Sequence, residues 1–234
     1  MSSTFLPLVM ALLACATLPA PAAPYLFVTF KGEDTPMTEQ IHFALSKDGR
    51  RWTALNGGQP VLVSKLGEKG VRDPYLLRSP DGKKFFILAT DLSIHLNGDW
   101  TRAQTAGSQS IVVWESEDLV HWSPPRLARV AAPDAGCTWA PEAVYDEESK
   151  DYLVFWASKN KSDDFAKQRI WAARTRDFST FAKSFIYIYK PGHVIDTDIV
   201  RDRNKYHRFS KDEQFKAITM ETSDKLMGPW TEQP

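Results

Sequence analysis

The sequence predicts an all-β protein built as a β-propeller. Short runs rich in β-branched and aromatic residues are separated by Gly, Pro, Asp and Asn, and few stretches have helical periodicity. A unit of four such runs also recurs at a period of about 50 residues, which is typical of a propeller blade. The clearest strand-like runs are FFILA at 85–89, SIVVW at 110–114, YLVFW at 152–156 and FIYIY at 185–189.

Three complete units follow one another along the chain. They open at Arg72-Asp73-Pro74, at Trp139-Ala140-Pro141 and at Val194-Ile195-Asp196-Thr197-Asp198. Each unit has an inner strand that opens near a polar residue, a charged turn, an aromatic second strand, and a third strand that ends in Ser or Thr followed by an acid. The unit then closes on an aromatic residue: Trp122, Phe181 or Trp230.

The start of the chain lacks one part of this unit. Residues 24–63 supply YLFVTF, IHFALSKDG and RRWTAL, which match the second, third and fourth strands of a blade. No inner strand precedes them, and the chain stops at Pro234 directly after a complete blade. We therefore expect residues 24–234 to form one incomplete propeller domain, with three full blades and the outer strands of another.

The first 22 residues are predicted to be a signal peptide. FLPLVMALLACATL at 5–18 is apolar but too short to span a bilayer, and Ala20-Pro21-Ala22 offers a small-residue cleavage site. A lipoprotein anchor at Cys15 is the alternative. Either interpretation predicts an exported domain, secreted or periplasmic, with no membrane span.

Composition excludes several other classes of protein. Twenty-nine basic and 29 acidic residues give no net charge, so nothing favours a nucleic-acid partner. After cleavage Cys137 is the only cysteine, and a small buried apolar role suits it best. The five histidines are scattered without zinc-ligand spacing, so we expect no metal and no cofactor.

The inner strands are expected to bring acids to the propeller axis. Aligning the three units places Asp73, Ala140 and Asp196 at equivalent positions, and a second set lies two residues further on: Tyr75, Glu142 and Asp198. Repulsion between carboxylates in a partly desolvated pocket spreads their pKa values, which supplies both an acid and a base. Asp73 alone suits a turn before Pro74, but the recurrence of the motif favours a side chain that points inward.

RDPYLL, WAPEAVYD with YLVFWAS, and IDTDIV, in this order, resemble the five-bladed propeller of glycoside hydrolase family 43. The resemblance implies hydrolysis, with inversion, of arabinose- or xylose-containing plant cell-wall polysaccharide. It places the general base at Asp73. At Asp196 it places the aspartate that orients the general acid and adjusts the pKa of that acid. The family's general-acid Glu lies in a Glu-Gly-Pro box expected beyond Pro234, and Glu142 is the nearest candidate within the chain.

Three further residues are predicted to bind substrate. Arg72 either pairs with a carboxylate in the funnel or caps the blade rim, and Trp139 either stacks on a sugar or packs in the core. Glu142 is expected to line the funnel. The loop LSIHLNGDWTRAQTAG, with His95, Asn97 and Trp100, is placed at the mouth.

Two hypotheses of function follow. The first is an exported inverting glycosidase, monomeric when its propeller is complete. The alternative is a non-catalytic carbohydrate-binding propeller, or an inactive fragment that lacks the general-acid Glu. A protein-interaction propeller is less favoured, because such repeats lack acids where the inner strands begin.

Overall fold

The computed structural model describes residues 23–234 as four antiparallel sheets, named here the first to fourth blades in chain order. The first blade contains β1 (Tyr25–Thr29), β2 (His42–Ser46) and β3 (Thr53–Ala54). The second contains β4 (Val71–Arg78), β5 (Phe85–Asp91), β6 (Ser110–Ser116) and β7 (Arg126–Arg129). The third contains β8 (Trp139–Asp146), β9 (Asp151–Ser158), β10 (Arg169–Thr175) and β11 (Phe185–Ile188). The fourth contains β12 (Val194–Asp202), β13 (Lys205–Asp212), β14 (Ala217–Ser223) and β15 (Thr231–Gln233).

The all-β prediction is confirmed, and so is the division into blades. Three sheets have four strands in sequential order, and the first has three because it lacks the inner strand. The predicted total of five blades is not tested by these four sheets and stays a prediction. The predicted signal peptide, residues 1–22, lies outside the described residues.

Apolar clusters between neighbouring blades hold the blades together. Adjacent residues of β9 face opposite ways, so Trp156 packs towards the second blade and Phe155 towards the fourth. Trp114 of β6 packs in the same way against Phe43 of the first blade. Each such side chain is nearly inaccessible to solvent, and its burial stabilises the fold by roughly 1.5–3 kcal/mol.

The same turn follows the third strand of the second and third blades and also β2, the equivalent strand of the first blade, which lacks an inner strand. In each turn a hydroxyl oxygen accepts two backbone N–H groups, and a carboxylate two residues later accepts the next two. The turns begin at Ser46–Asp48, Ser116–Asp118 and Thr175–Asp177. The amide donors lower the pKa of Asp177 below its ordinary value. This chemistry accounts for the Ser/Thr and acid that the sequence repeats.

A bulge interrupts every inner strand at the same place. In β4, Arg72 pairs with Thr90 and Tyr75 with Leu88, so two residues of β4 oppose one of β5. The third and fourth blades repeat this break. The first bulged residue has left-handed backbone in each case: φ is 49° at Asp73, 47° at Ala140 and 47° at Asp196. For a residue other than glycine this conformation costs roughly 1–2 kcal/mol.

Residues 92–109, between β5 and β6, form an insert, of which residues 92–107 were predicted to be a loop and instead contain two short helices. These are α1 (Ile94–Asn97), capped by the Ser93 hydroxyl, and α2 (Trp100–Thr105), capped by the Asp99 carboxylate. The prediction of a loop was wrong because these caps stabilise helices too short to produce a periodic pattern. In residues 23–234, no helix is long and apolar enough to cross a membrane.

Candidate active site

A cavity of about 810 Å³ lies where the inner strands of the second, third and fourth blades begin. Each bulge turns the first residues of its strand, and the three sets of residues meet across the cavity. The insert forms the side nearest the first blade. Residues lining the cavity include Arg72, Asp73, Trp100, Gln104, Trp139, Lys159, Gln168, His193, Asp196, Lys211 and Glu213.

Asp73 lies in this cavity as the first residue of the bulge in β4. Its Oδ2 atom accepts a hydrogen bond from the hydroxyl of Thr90 at 3.2 Å, and that hydroxyl accepts one from the amide of Ala140 at 2.8 Å. Burial raises the pKa of Asp73 to about 6, opposed by the nearby Arg72 cation and reinforced by Asp196. A carboxylate tuned in this way can accept a proton near neutral pH.

Asp196 holds the equivalent position in the fourth blade. Burial raises the pKa of this carboxyl, and Lys211, whose Nζ lies 3.6 Å from Oδ2, opposes the shift. Lys211 also pairs with Glu213 at 2.9 Å. Two acids with raised pKa values thus face one cavity, and Ala140 takes the equivalent position in the blade between them.

A second set of polar residues lies behind the first. Burial, followed by the charge of Asp198, raises the pKa of Glu142 far above its ordinary value, so this carboxyl is protonated at neutral pH. Burial and the same two carboxyl groups also raise the pKa of Tyr75. Oε2 of Glu142 is buried without a hydrogen-bond partner. Glu142 is not among the residues that line the cavity, so its predicted contact with substrate stays a prediction.

Arg72 and Trp139 both line the cavity, and their predicted contact with substrate stays a prediction. Arg72 pairs with two carboxylates that precede β2. Its Nη1 atom donates to Glu39 at 3.0 Å and to Glu33 at 2.9 Å, both of which belong to the first blade. Trp139 is half-buried and packs against two apolar clusters, so it serves the core as well as the cavity wall. It meets Trp100 edge to face at 6.1 Å.

Sequence reasoning missed Thr90 and Lys211, although the repeat carries a signal for them. Each pairs with the residue immediately before the bulge: Thr90 with Arg72, and Lys211 with Ile195. In the third blade Ala157 pairs with Trp139 at the same register position. Aligning the second strands of the blades by this register would have placed Thr90 and Lys211 beside the two acids.

Gln168 is another residue that the sequence did not indicate. It is 3% exposed and lines the cavity, and its Oε1 atom is buried without a partner. Its Nε2 atom lies 3.9 Å from the sulfur of Cys137. An unpaired amide oxygen beside a cavity can accept a hydrogen bond from a ligand hydroxyl.

Cys137 is buried, as predicted, and forms no disulfide within residues 23–234. Burial raises the pKa of its thiol to about 11, which makes it a poor nucleophile. Across residues 23–234 no group of three His, Cys, Asp or Glu side chains is arranged to hold a metal ion.

The fold and the site together define a β-propeller with an acid-lined cavity where its inner strands begin. Over residues 20–234 the chain matches the family described as "Probable glycosyl hydrolase domain", which is related to glycoside hydrolase family 43. The chain belongs to this family.

Known proteins resemble the chain in sequence and in fold. An α-L-arabinofuranosidase from Bifidobacterium longum is 31% identical over 245 residues, which is 91% of this chain and 23% of that protein's length. The α-L-arabinanase of Penicillium chrysogenum, solved with arabinobiose, has a TM-score of 0.62 at 14% identity, covering 91% of this chain and 64% of its own. The exo-β-1,3-galactanase of Phanerochaete chrysosporium, solved with galactose, has a TM-score of 0.63 at 10% identity, covering 91% and 47%. At these identities the two structures establish the fold alone.

Proposed function

We propose that the cavity is the active site of a glycoside hydrolase that cleaves arabinose- or xylose-containing plant cell-wall glycans with inversion. The observation that carries the proposal is the placement of Asp73 and Asp196. Both occupy the strained first position of a bulge, both have raised pKa values, and both face one cavity. Sequence similarity to a protein named α-L-arabinofuranosidase favours arabinofuranosides as the first substrates to test.

In the proposed reaction the ionised Asp73 takes a proton from water as the water oxygen attacks the anomeric carbon. The glycosidic C–O bond breaks, and the leaving oxygen receives a proton from a general acid. In an inverting enzyme the two carboxyl groups lie roughly 6.5–9.5 Å apart, which leaves room for the water. Asp196 acts on the acid through its negative charge, which keeps that group protonated.

The identity of the general acid decides between catalysis and binding alone. Three carboxyl groups line the cavity, and ion pairs with Lys216 and Lys211 lower the pKa of the third, Glu213. Glu213 is therefore ionised at neutral pH and unsuited to donating a proton. Glu142 is protonated at neutral pH but does not line the cavity. Together these observations favour, as the second candidate function, a propeller that binds carbohydrate without cleaving it.

Hydrolysis and binding can be measured side by side on the same protein. Release of nitrophenol from aryl α-L-arabinofuranoside, β-D-xyloside and β-D-galactoside is followed for the wild type, for Asp196→Asn and for the control Asp81→Asn in an exposed turn. We expect hydrolysis of the arabinofuranoside by the wild type and the control, and its loss in Asp196→Asn. Calorimetric binding of arabinobiose without any hydrolysis would favour the binding function, and neither binding nor hydrolysis would refute both.

We also propose that the domain is exported and monomeric. The apolar run and small-residue site within residues 1–22 support export.

A further inference from the structure

Glu39 is a buried carboxylate at the junction between the first blade and the insert. It is 0% exposed, and it precedes β2 in a segment without regular structure. Its oxygens accept four hydrogen bonds: from the Ser93 hydroxyl at 2.6 Å, the Ile94 amide at 2.9 Å, the His95 amide at 3.1 Å and Nη1 of Arg72 at 3.0 Å. A charge so fully surrounded by donors holds all of them in fixed positions.

One part of this network fixes the insert. Ser93 caps α1, and the amides of Ile94 and His95 belong to its first turn, where helical amides have no partner within the helix. Glu39 supplies the acceptors for both amides. The first blade therefore sets the position of α1, and with it the position of α2, which begins at Trp100.

The other part of the network fixes one wall of the cavity. Arg72 places its guanidinium 5.3 Å from the Trp100 ring centre and 4.8 Å from that of Phe30. Trp100 in turn meets Trp139 with the two ring planes at 85°. The two indoles form a right-angled aromatic corner inside the cavity lining, and Trp100 remains 43% exposed.

We propose that Glu39 is a positioning residue for carbohydrate binding: its carboxylate holds Arg72 and Trp100 together as the wall against which a sugar ring packs. An indole face suits the apolar C–H face of a sugar, and Arg72 beside it can donate to the ring hydroxyls. The inference rests on the proposed function, because it assumes that the cavity takes a carbohydrate. Glu39 touches no substrate and acts only through Arg72 and the insert.

The decisive variant is Glu39→Gln, with the exposed Glu117→Gln as its matched control. Glutamine keeps the shape of the side chain but removes the charge and replaces one acceptor oxygen with a donor. We expect the dissociation constant of arabinobiose, measured by calorimetry, to rise by about tenfold in Glu39→Gln and to stay unchanged in Glu117→Gln. Hydrogen exchange should accelerate at amides of residues 93–105.

A double-mutant cycle separates positioning from general structural damage. If Glu39 acts partly through Trp100, then Trp100→Ala weakens binding by itself, and adding Glu39→Gln to it weakens binding by clearly less than the tenfold that Glu39→Gln costs alone. Ser93→Ala, which removes one donor and leaves the charge pair with Arg72, should weaken arabinobiose binding less than Glu39→Gln does. It also serves as the test variant if Glu39→Gln does not fold.

The outcomes keep the two claims apart. If the wild type binds and Glu39→Gln binds with the same affinity, the positioning role is overturned and the proposed function stays intact. The same conclusion holds for unchanged affinity in Ser93→Ala if Glu39→Gln does not fold. Fully additive losses in the cycle also overturn it. Failure of the wild type to bind either arabinobiose or xylobiose refutes the proposed function, and the positioning role with it.

Discussion

Replacing Asp73 with Asn should remove activity and stabilise the fold at the same time. As the proposed base, Asp73 accepts a proton from water, and general-base catalysis contributes roughly a hundredfold to ten-thousandfold in rate. Asn cannot accept that proton, so kcat should fall by about this factor. The hydroxyl of Thr90, which donates to Asp73 at 3.2 Å, can still donate to the amide oxygen of Asn.

The gain in stability follows from the raised pKa. The folded state binds the Asp73 proton more tightly than the unfolded state, since burial raises the pKa from 3.8 to about 6. In the wild type, the stabilisation that comes from this bound proton is fully present below pH 3.8 and is lost as pH rises through about 6. Above that pH the ionised carboxylate destabilises the folded state by at most about 3 kcal/mol. The cost is smaller than this limit because solvent reaches the half-buried side chain and screens its charge.

Thermal melts at two pH values test this reasoning, together with a pH–rate profile. Asp73→Asn should melt up to about 10 °C above the wild type at pH 8 and close to it at pH 4. Wild-type kcat/KM should fall about tenfold for each pH unit below about 6, because the base becomes protonated. Unchanged turnover in the variant, or a melting temperature that falls at pH 8, would refute the assignment of Asp73 as a desolvated base.

Three more substitutions test the surroundings of the cavity and the blades. Lys211→Met removes a cation that lowers the pKa of Asp73, so the acidic limb of the pH–rate profile should move to higher pH; an unmoved limb contradicts the coupling. Thr175→Val leaves the partly buried amide of Asp177 and the buried amide of Phe178 without their acceptor and should cost about 1–3 kcal/mol in urea unfolding, whereas Ser179→Ala should cost little. Arg208→Met leaves the buried carboxylate of Glu221, which Arg208 pairs with at 2.9 Å, with Lys190 at 3.5 Å as its remaining charged partner, and should cost up to about 3–5 kcal/mol by the same assay; a cost below 1 kcal/mol would mean that Lys190 and water compensate the charge.

The blades could be predicted because the sequence motifs that indicate their turns and strands are local. Each Ser/Thr-x-Asp turn satisfies its own amides within five residues, and the alternation in YLVFW at 152–156 already separates the two faces of β9. Aligning such units was enough to place Asp73, Ala140 and Asp196 at one register position. The bulge itself was not predicted, because left-handed backbone is rare at alanine and, although aspartate is enriched there, most aspartates do not adopt it.

The rest of the site depends on contacts between residues distant in sequence. Glu39 forms hydrogen bonds with Arg72, which lies 33 residues further along the chain, and with Ser93, which lies 54 residues further along. No local sequence pattern predicts either contact. Arg72 was expected to pair within the funnel or cap the rim, yet its partners come from the first blade. The short helices of the insert also escaped prediction, because they are too short to show periodicity and because Glu39, distant in sequence, adds acceptors to the local cap of α1.

The stereochemistry of the first product tests the central claim most directly. Proton NMR, recorded during hydrolysis of an aryl α-L-arabinofuranoside by the wild type and by Asp73→Asn, distinguishes the anomers of the released sugar before they equilibrate. We predict that the β-anomer appears first with the wild type and that Asp73→Asn releases sugar roughly a hundredfold to ten-thousandfold more slowly. Release of the α-anomer, or equal hydrolysis by both proteins, would contradict an inverting mechanism with Asp73 as its base.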